Sequence, residues 1–518
     1  MMVGPKREIV ALLVAVACLS IAGGSFGGRG SVPPAHTSND FGTALAEIDA
    51  HLETRWSAAE VEPVERADDL TILRRLSLAL LGTIPSLEEI RTFEAAPRED
   101  RIPRWIDRYL DDRRFAVSWA ERWAPSLIGT DVEPVIVFRR NLFVRSLADK
   151  LAKNAPYDQV VRDILSQQGL PTDRAETNFI TAALLEGQVD ANKLAGRTVR
   201  AFLGQRIDCA ECHDHPFAHW RQSDFRGLSA FFAETTASQH GVRDHPIQGS
   251  GDAVVPFGPE WLPSSGTRRE RLARWVTHPE NRRFVRATAN RVFALLFGRP
   301  YVAPIDAIDD PSDIPDLLDI VGADFVRHGF DLRRMIALIA RSRAFQLASR
   351  ATDGDSARRE TEFAAFPLTP VAQKAIVDSL IQASSITTFG EHRHLLARAV
   401  AFLRERSFID ALCDIDESTD EERLITIAEV LLRMNGRLPS DLISATPFSS
   451  TGRIATFAHD DRARLEALYL IFLTRRPSAP EADAFLPLLA RADGRSRGHA
   501  IEDIAWGLVN SAEFAWNH

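Results

Sequence analysis

At 518 residues the chain exceeds what one simple hydrophobic core organises, so two or three domains are expected. Its 45% hydrophobic and 26% charged content is ordinary for soluble globular protein. A formal net charge of −9 argues against general nucleic-acid binding, so no nucleic-acid partner is expected.

The N-terminus reads as a secretion signal. Lys6 and Arg7 form a short basic region, and residues 9–22 are almost wholly apolar. That run is shorter than the 18 or more residues of a spanning helix, and a Gly/Ser/Pro exit region follows it to Pro34. Two variants stay open: lipid attachment at Cys18, which follows Ala15-Val16-Ala17, and an uncleaved N-terminal membrane anchor. All three place the protein outside the cytoplasm, in the periplasm or cell envelope. Once Cys18 leaves with the signal, Cys209, Cys212 and Cys413 remain, too few for a disulfide framework.

Beyond residue 40 the pattern is helical and predicts a mainly α protein. A first helix is expected over residues 41–60, and Ile72, Leu73, Leu76 and Leu80 recur at helical spacing after Asp68. Gly82-Thr83-Ile84-Pro85 stops that helix, and Ser86 with Glu89 forms a capping box for the next. Ile102, Trp105, Ile106 and Tyr109 mark another helix, and Phe115, Trp119 and Trp123 one more; such an aromatic stripe is read as core. Helices over 142–151, 157–165 and 190–205 lead to the Cys209 segment, and 224–232 is a short apolar stretch after it. Residues 236–262 read as a Gly/Ser/Pro-containing linker between helical domains at 41–235 and 263–518. The Arg-rich stretch 268–299 suits either an anion site or a solvated helix face. Asp306, Asp309, Asp310, Asp313 and Asp316 form an acidic knot best explained by N-capping of a following helix. Ser478 and Glu481 make a second capping box.

The chemistry-bearing stretch is Cys209-Ala210-Glu211-Cys212-His213-Asp214-His215-Pro216-Phe217-Ala218-His219-Trp220. It opens with Cys-x-x-Cys-His, the attachment signature of c-type haem. Two thiols at that spacing can each add to a haem vinyl group, and the next His can reach the iron. Three classes of site fit it. In the first, Cys209 and Cys212 hold covalent haem with His213 as proximal ligand; Met335, Met434, His240, His245 and His278 are candidates for the opposite axial position. In the second, the two thiolates with one or two of His213, His215 and His219 bind zinc. In the third there is no cofactor, and the cysteines form a small disulfide or stay as thiols in a scaffold protein. Asp214 and His215 are candidates for orienting His213. No P-loop or dinucleotide fingerprint is present, and Gly23-Gly24-Ser25-Phe26-Gly27 lies in the signal exit region without the strand and helix of a nucleophile elbow. No catalytic residue is assigned.

Several stretches carry a family resemblance. Residues 69–78 with Gly82-Thr83-Ile84-Pro85, Ala155-Pro156-Tyr157-Asp158, the Cys209–Trp220 segment and Asp224-Phe225-Arg226-Gly227-Leu228 resemble a domain of unknown function, 1549, described as a planctomycete cytochrome-type domain. Trp275-Val276-Thr277-His278-Pro279-Glu280-Asn281, residues 290–299, His328-Gly329-Phe330-Asp331-Leu332 and Asn510-Ser511-Ala512-Glu513-Phe514 resemble its companion, domain 1553. The resemblance implies an exported bacterial protein of planctomycete type, with a site at Cys209, Cys212 and His213. It departs at Ala218-His219, where family members often carry Asp-Lys, and it lacks an added N-terminal cytochrome module. The combined expectation is one haem and electron transfer in the envelope, with a redox or polymer-processing protein as partner. The alternative is a helical envelope scaffold or polymer-binding protein with structural zinc or a disulfide.

Overall fold

A computed structural model of the chain describes residues 39–129, 140–216, 218–245, 252–308, 310–312, 314–349, 356–388 and 426–518. The signal segment with Cys18, and Cys413, Asp309, Asp313 and Phe217, lie outside the described residues. Helices dominate, as the periodicity predicts, and strands occur only as short pairs.

Helix α1 (Asn39–Ala58) precedes α2 (Asp69–Leu76). The Asp68 carboxylate accepts the Leu70 and Thr71 amides and so starts α2. A wider π-type turn over Ser77–Leu81 follows, and Gly82 stops it at φ +70°, a conformation a side chain would resist. The Ser86–Glu89 capping box opens α3 (Leu87–Ala95). α4 (Arg101–Asp111) and α5 (Arg113–Ile128) carry the aromatic stripe, and Trp105, Tyr109, Phe115, Trp119 and Trp123 are all buried. After α6 (Arg140–Ala152), α7 (Tyr157–Ser166) continues that stripe: Trp123 meets Tyr157 at 5.2 Å, and Tyr157 stacks on Phe284 at 5.9 Å. The aromatics are therefore core, and they join the first half of the chain to the second.

A hairpin of β1 (Leu184–Leu185) and β2 (Gln188–Val189) leads to α8 (Ala191–Thr198). The single helix expected over 190–205 instead widens to a π-type turn at Val199–Leu203 and ends at Gly204, φ +66°. α9 (Gln222–Ser229) follows the Cys209 segment. Part of the stretch 236–262 is ordered as a hairpin of β3 (Thr235–Ser238) and β4 (Gly241–Asp244), with Gly169 paired to Val242.

Thr267 caps α10 (Arg268–Val276), and α11 (Arg282–Phe297), α12 (Leu317–Arg327) and α13 (Leu332–Arg341) build the centre of the second half. The Arg-rich stretch is neither a bare cationic face nor an open anion site. Arg269 is fully buried against Asp244 at 2.7 Å, and Arg286 holds Asp316 at 2.7 Å and Asp319 at 2.6 Å. Asp316 and Asp310 of the acidic knot supply part of its counter-charge. Asp316 also caps α12 through a box with Asp319, as expected.

The C-terminal helices α14 (Gln373–Ala383), α16 (Ser450–Phe457), α17 (Asp461–Leu473), α18 (Ala479–Ala490) and α19 (Gly494–Val509) surround a core that also takes in Leu78 and Ile84, and α15 (Ile427–Asn435) packs Leu432 against Val377 and Leu438. A short pair of β5 (Thr369–Pro370) and β6 (Trp516–Asn517) closes it. Two buried guanidiniums on α2 fasten this end. Arg74 donates to the Phe472 carbonyl at 3.0 Å, and Arg75 donates to the Phe345 carbonyl at 3.1 Å while lying 3.9 Å over the Phe366 ring. Burial pushes Arg75 down to about 9 and Arg74 to about 10. No helix among the described residues is long and apolar enough to cross a membrane.

Candidate functional site

The Cys209 segment is built on two apolar anchors. Ile207 and Ala210 are fully buried, so the 3-10 turn Asp208–Glu211 is held by its inward side chains. Cys209 and Cys212 then fall on its outer side, where both are exposed and free. Trp220, 2% exposed, anchors the far end, and the His215 amide donates to the Trp220 carbonyl at 2.8 Å, closing the loop between them. Gln222, on α9, reaches back under the motif: its side-chain amide donates to the Cys212 carbonyl at 2.9 Å and the Glu211 carbonyl at 3.2 Å. Its backbone amide donates to the Asp214 carboxylate at 2.8 Å. From α8, Asn192 donates to the Glu211 carboxylate at 2.9 Å.

The histidines differ in what they offer. His213 Nδ1 lies 2.8 Å from the Asp214 carbonyl oxygen. A carbonyl only accepts, so Nδ1 carries the proton and the neutral ring keeps its lone pair on Nε2. Asp214 thus orients His213, through its main chain rather than its carboxylate. His215 is the reverse: its Nδ1 accepts the Ala218 amide at 2.9 Å, so its neutral ring carries the proton on Nε2. Metal binding through His215 Nδ1 would break that bond. His219 Nδ1 faces the Asp310 carboxylate at 3.2 Å, and its ring lies 4.9 Å from that of Trp220.

The 306–310 loop is the support that sequence reasoning missed. Asp310 also takes Gln205 at 2.7 Å and Arg283 at 2.8 Å. Asp306 pairs with Arg206 at 2.6 Å, and Arg200 bridges to Asp208 at 2.6 Å. The Ile308 amide donates to the Gly204 carbonyl at 2.8 Å. The only hint in the sequence is the acidic knot itself, and nothing in its spacing says which arginines or histidine it meets.

The candidates for a second axial ligand are scattered. Met335 is buried on α13. Met434 is exposed near the end of α15, where its carbonyl accepts the Trp506 indole N–H at 3.2 Å. His240 sits in the tip of the β3–β4 hairpin, and His245 follows β4. His278 stacks on Trp261 at 5.2 Å.

Among the described residues, metal-ligand atoms converge to within 4.8 Å in a group of three at Asp40, Asp324 and His328, and not at the Cys209 segment. The converging group is already engaged in ion pairs and hydrogen bonds. His328 Nε2 meets Asp40 at 2.7 Å, and Arg334 donates to Asp40 at 2.9 Å and to Asp324 at 2.8 Å. A guanidinium held by both carboxylates occupies the place a cation would need, so this is an ion-pair clamp on the start of α1.

At the Cys209 segment the residues fit a c-type haem. The thiols are free and outward, and the next His presents an Nε2 lone pair fixed by a bond at its other nitrogen. Tetrahedral zinc would need four ligand atoms drawn within about 4 Å of one another, given bonds of about 2.0–2.3 Å.

Residues 47–237 match a family described as a protein of unknown function, DUF1549 (PSCyt2), and residues 268–489 match another, DUF1553 (PSD1). No curated protein and no solved structure matches the chain.

Proposed function

This chain carries a DUF1549 domain followed by a DUF1553 domain, and from that tandem we propose an exported, c-type-haem-like protein of the periplasm or cell envelope that transfers electrons to an envelope partner. Cys209 and Cys212 are the attachment thiols and His213 is the proximal ligand. The observation that carries the reading is the His213 ring: its Nδ1 is bonded to the Asp214 carbonyl, and Cys209 and Cys212, in and at the end of the turn before it, are exposed and free. The label PSCyt2 on the first family is in keeping with this. Bound haem would supply a one-electron couple tuned by axial ligand, hydrogen bonding and exposure. The chain's own part is to hold the thiols outward through Ile207 and Ala210, and to fix the imidazole. An exposed attachment turn suits electron exchange with a docking partner.

Expression of the full chain together with a c-type haem maturation system tests this. The expected product has a Soret band and a haem-sized mass increment that survives denaturation, both lost in Cys209→Ser/Cys212→Ser. Colourless protein with stoichiometric zinc, or with Cys209 and Cys212 joined as a disulfide, overturns it.

A further inference from the structure

The residues on either side of His213 are both held from α9, and by one residue. Gln222 is the first residue of that helix. Its side-chain amide donates to the carbonyl of Cys212, just before His213, and to that of Glu211. Its backbone amide donates to the carboxylate of Asp214, just after His213. Carbonyl oxygens accept and never donate, so the NH2 end of the Gln222 side chain, and not its oxygen, faces the turn. The Asp214 carboxylate is thereby turned onto the helix, while the Asp214 carbonyl takes His213 Nδ1 at 2.8 Å.

Gln222 is itself firmly mounted. Trp220 before it and Phe225 after it are buried. The Asp224 carboxylate accepts the Arg221 amide at 2.8 Å and so fixes the start of α9. The Trp220 carbonyl accepts the His215 amide at 2.8 Å, which closes the loop that leads from His213 to Gln222. An imidazole held through one nitrogen is oriented only as well as the group that holds it. Here that group is a main-chain carbonyl whose two peptide neighbours are tied to Gln222.

We infer that Gln222 is the positioning residue for the His213 imidazole: it holds the Cys212 and Asp214 peptides so that the ring keeps its proton on Nδ1 and offers Nε2 as the ligand atom. The inference rests on the haem reading above for what Nε2 is offered to, and adds the residue that aims it.

The test compares the full chain with Gln222→Glu and Gln222→Lys, with circular dichroism confirming the fold of each. Ionised Glu has nearly the shape of Gln but only accepts, so it meets the two carbonyls with no proton to give; Lys restores a donor. In the haem-free protein, nitrogen NMR of the histidine rings at a pH where they are neutral reads the tautomer, with the His213 signal assigned by its absence from His213→Gln. Gln222→Glu is expected to lower the ratio of Nδ1–H to Nε2–H tautomer by about fivefold, what one hydrogen bond of ordinary net strength is worth, and Gln222→Lys to stay within about twofold of wild type. After haem maturation both variants are expected to carry covalent haem of wild-type mass. The ferric electron paramagnetic resonance spectrum, which reports the axial ligand, is expected to split into two species in Gln222→Glu alone. If Gln222→Glu keeps the wild-type tautomer ratio and spectrum, or if Glu and Lys change them alike, Gln222 does not aim the ring and the inference is wrong while covalent haem stands. If wild type itself carries no covalent haem, the electron-transfer reading falls, and the tautomer ratio in the haem-free chain still decides the role of Gln222.

Discussion

Asp107 on α4 and Arg341 on α13 offer a quantitative test of how the two halves are held together. Their Nη2–Oδ1 distance is 2.5 Å, and their side chains are 6% and 7% exposed. Arg341 also lies 4.7 Å over the Phe41 ring and donates to the Pro103 carbonyl. Charges about 4 Å apart in surroundings of effective dielectric about 20 attract by about 4 kcal/mol, and desolvation on burial offsets much of that. The net worth of the pair is therefore small, but losing one member strands a buried charge. Asp107→Asn and Arg341→Met are each expected to cost about 3–5 kcal/mol. The double variant should fall within about 1 kcal/mol of wild type, because no charge is then left stranded. Urea denaturation followed by circular dichroism at neutral pH measures all four corners of the cycle. If a single variant costs under about 1 kcal/mol, or the double costs the sum of the singles, the stranded-charge argument is wrong.

Three further outcomes follow from particular contacts. Arg475 holds Glu481 down to about 2, so that carboxylate stabilises the fold above its ordinary value near 4.5 and the benefit fades as pH falls toward 2. Glu481→Gln should lower stability at pH 7 by about 1 kcal/mol, discounted for partial exposure, with the gap to wild type closed near pH 2 in acid titrations of the unfolding midpoint. Gly204→Ala places a Cβ 2.7 Å from Ile308 Cδ1 at φ +66°, and a loss of about 2 kcal/mol is expected by denaturation. Asp310→Ala removes the shared partner of Gln205, Arg283 and His219; hydrogen exchange over residues 204–222 should quicken by about tenfold, equivalent to about 1.4 kcal/mol of local opening. Unchanged exchange there would mean that the acidic loop does not support the attachment turn.

That support bears on why the two domains travel in one chain. The cysteines belong to the DUF1549 region, yet Asp306, Ile308, Asp310 and Arg283, which brace their loop, belong to the DUF1553 region. Arg74 and Arg75 do the same at the other end, carrying α2 into the carbonyls of residues 345, 347 and 472. The second domain is thus a structural partner of the first.

The mainly helical class, the capping boxes at Ser86 and Ser478, the buried aromatic stripe and the Cys-x-x-Cys-His motif were legible in the residues alone. Those features depend on spacing and bonds within about four residues, so neighbouring letters suffice to read them. Tertiary structure alone decided that Arg283 and Arg286 of the Arg-rich stretch meet Asp310 and Asp316 of the acidic knot, that 190–205 breaks into a wider turn, and that His213, His215 and His219 present different nitrogens. A charge or a ring nitrogen has no local signature for its partner. Which carbonyl, amide or carboxylate it meets is settled only when the folded backbone brings residues as far apart as His219 and Asp310 within bonding distance.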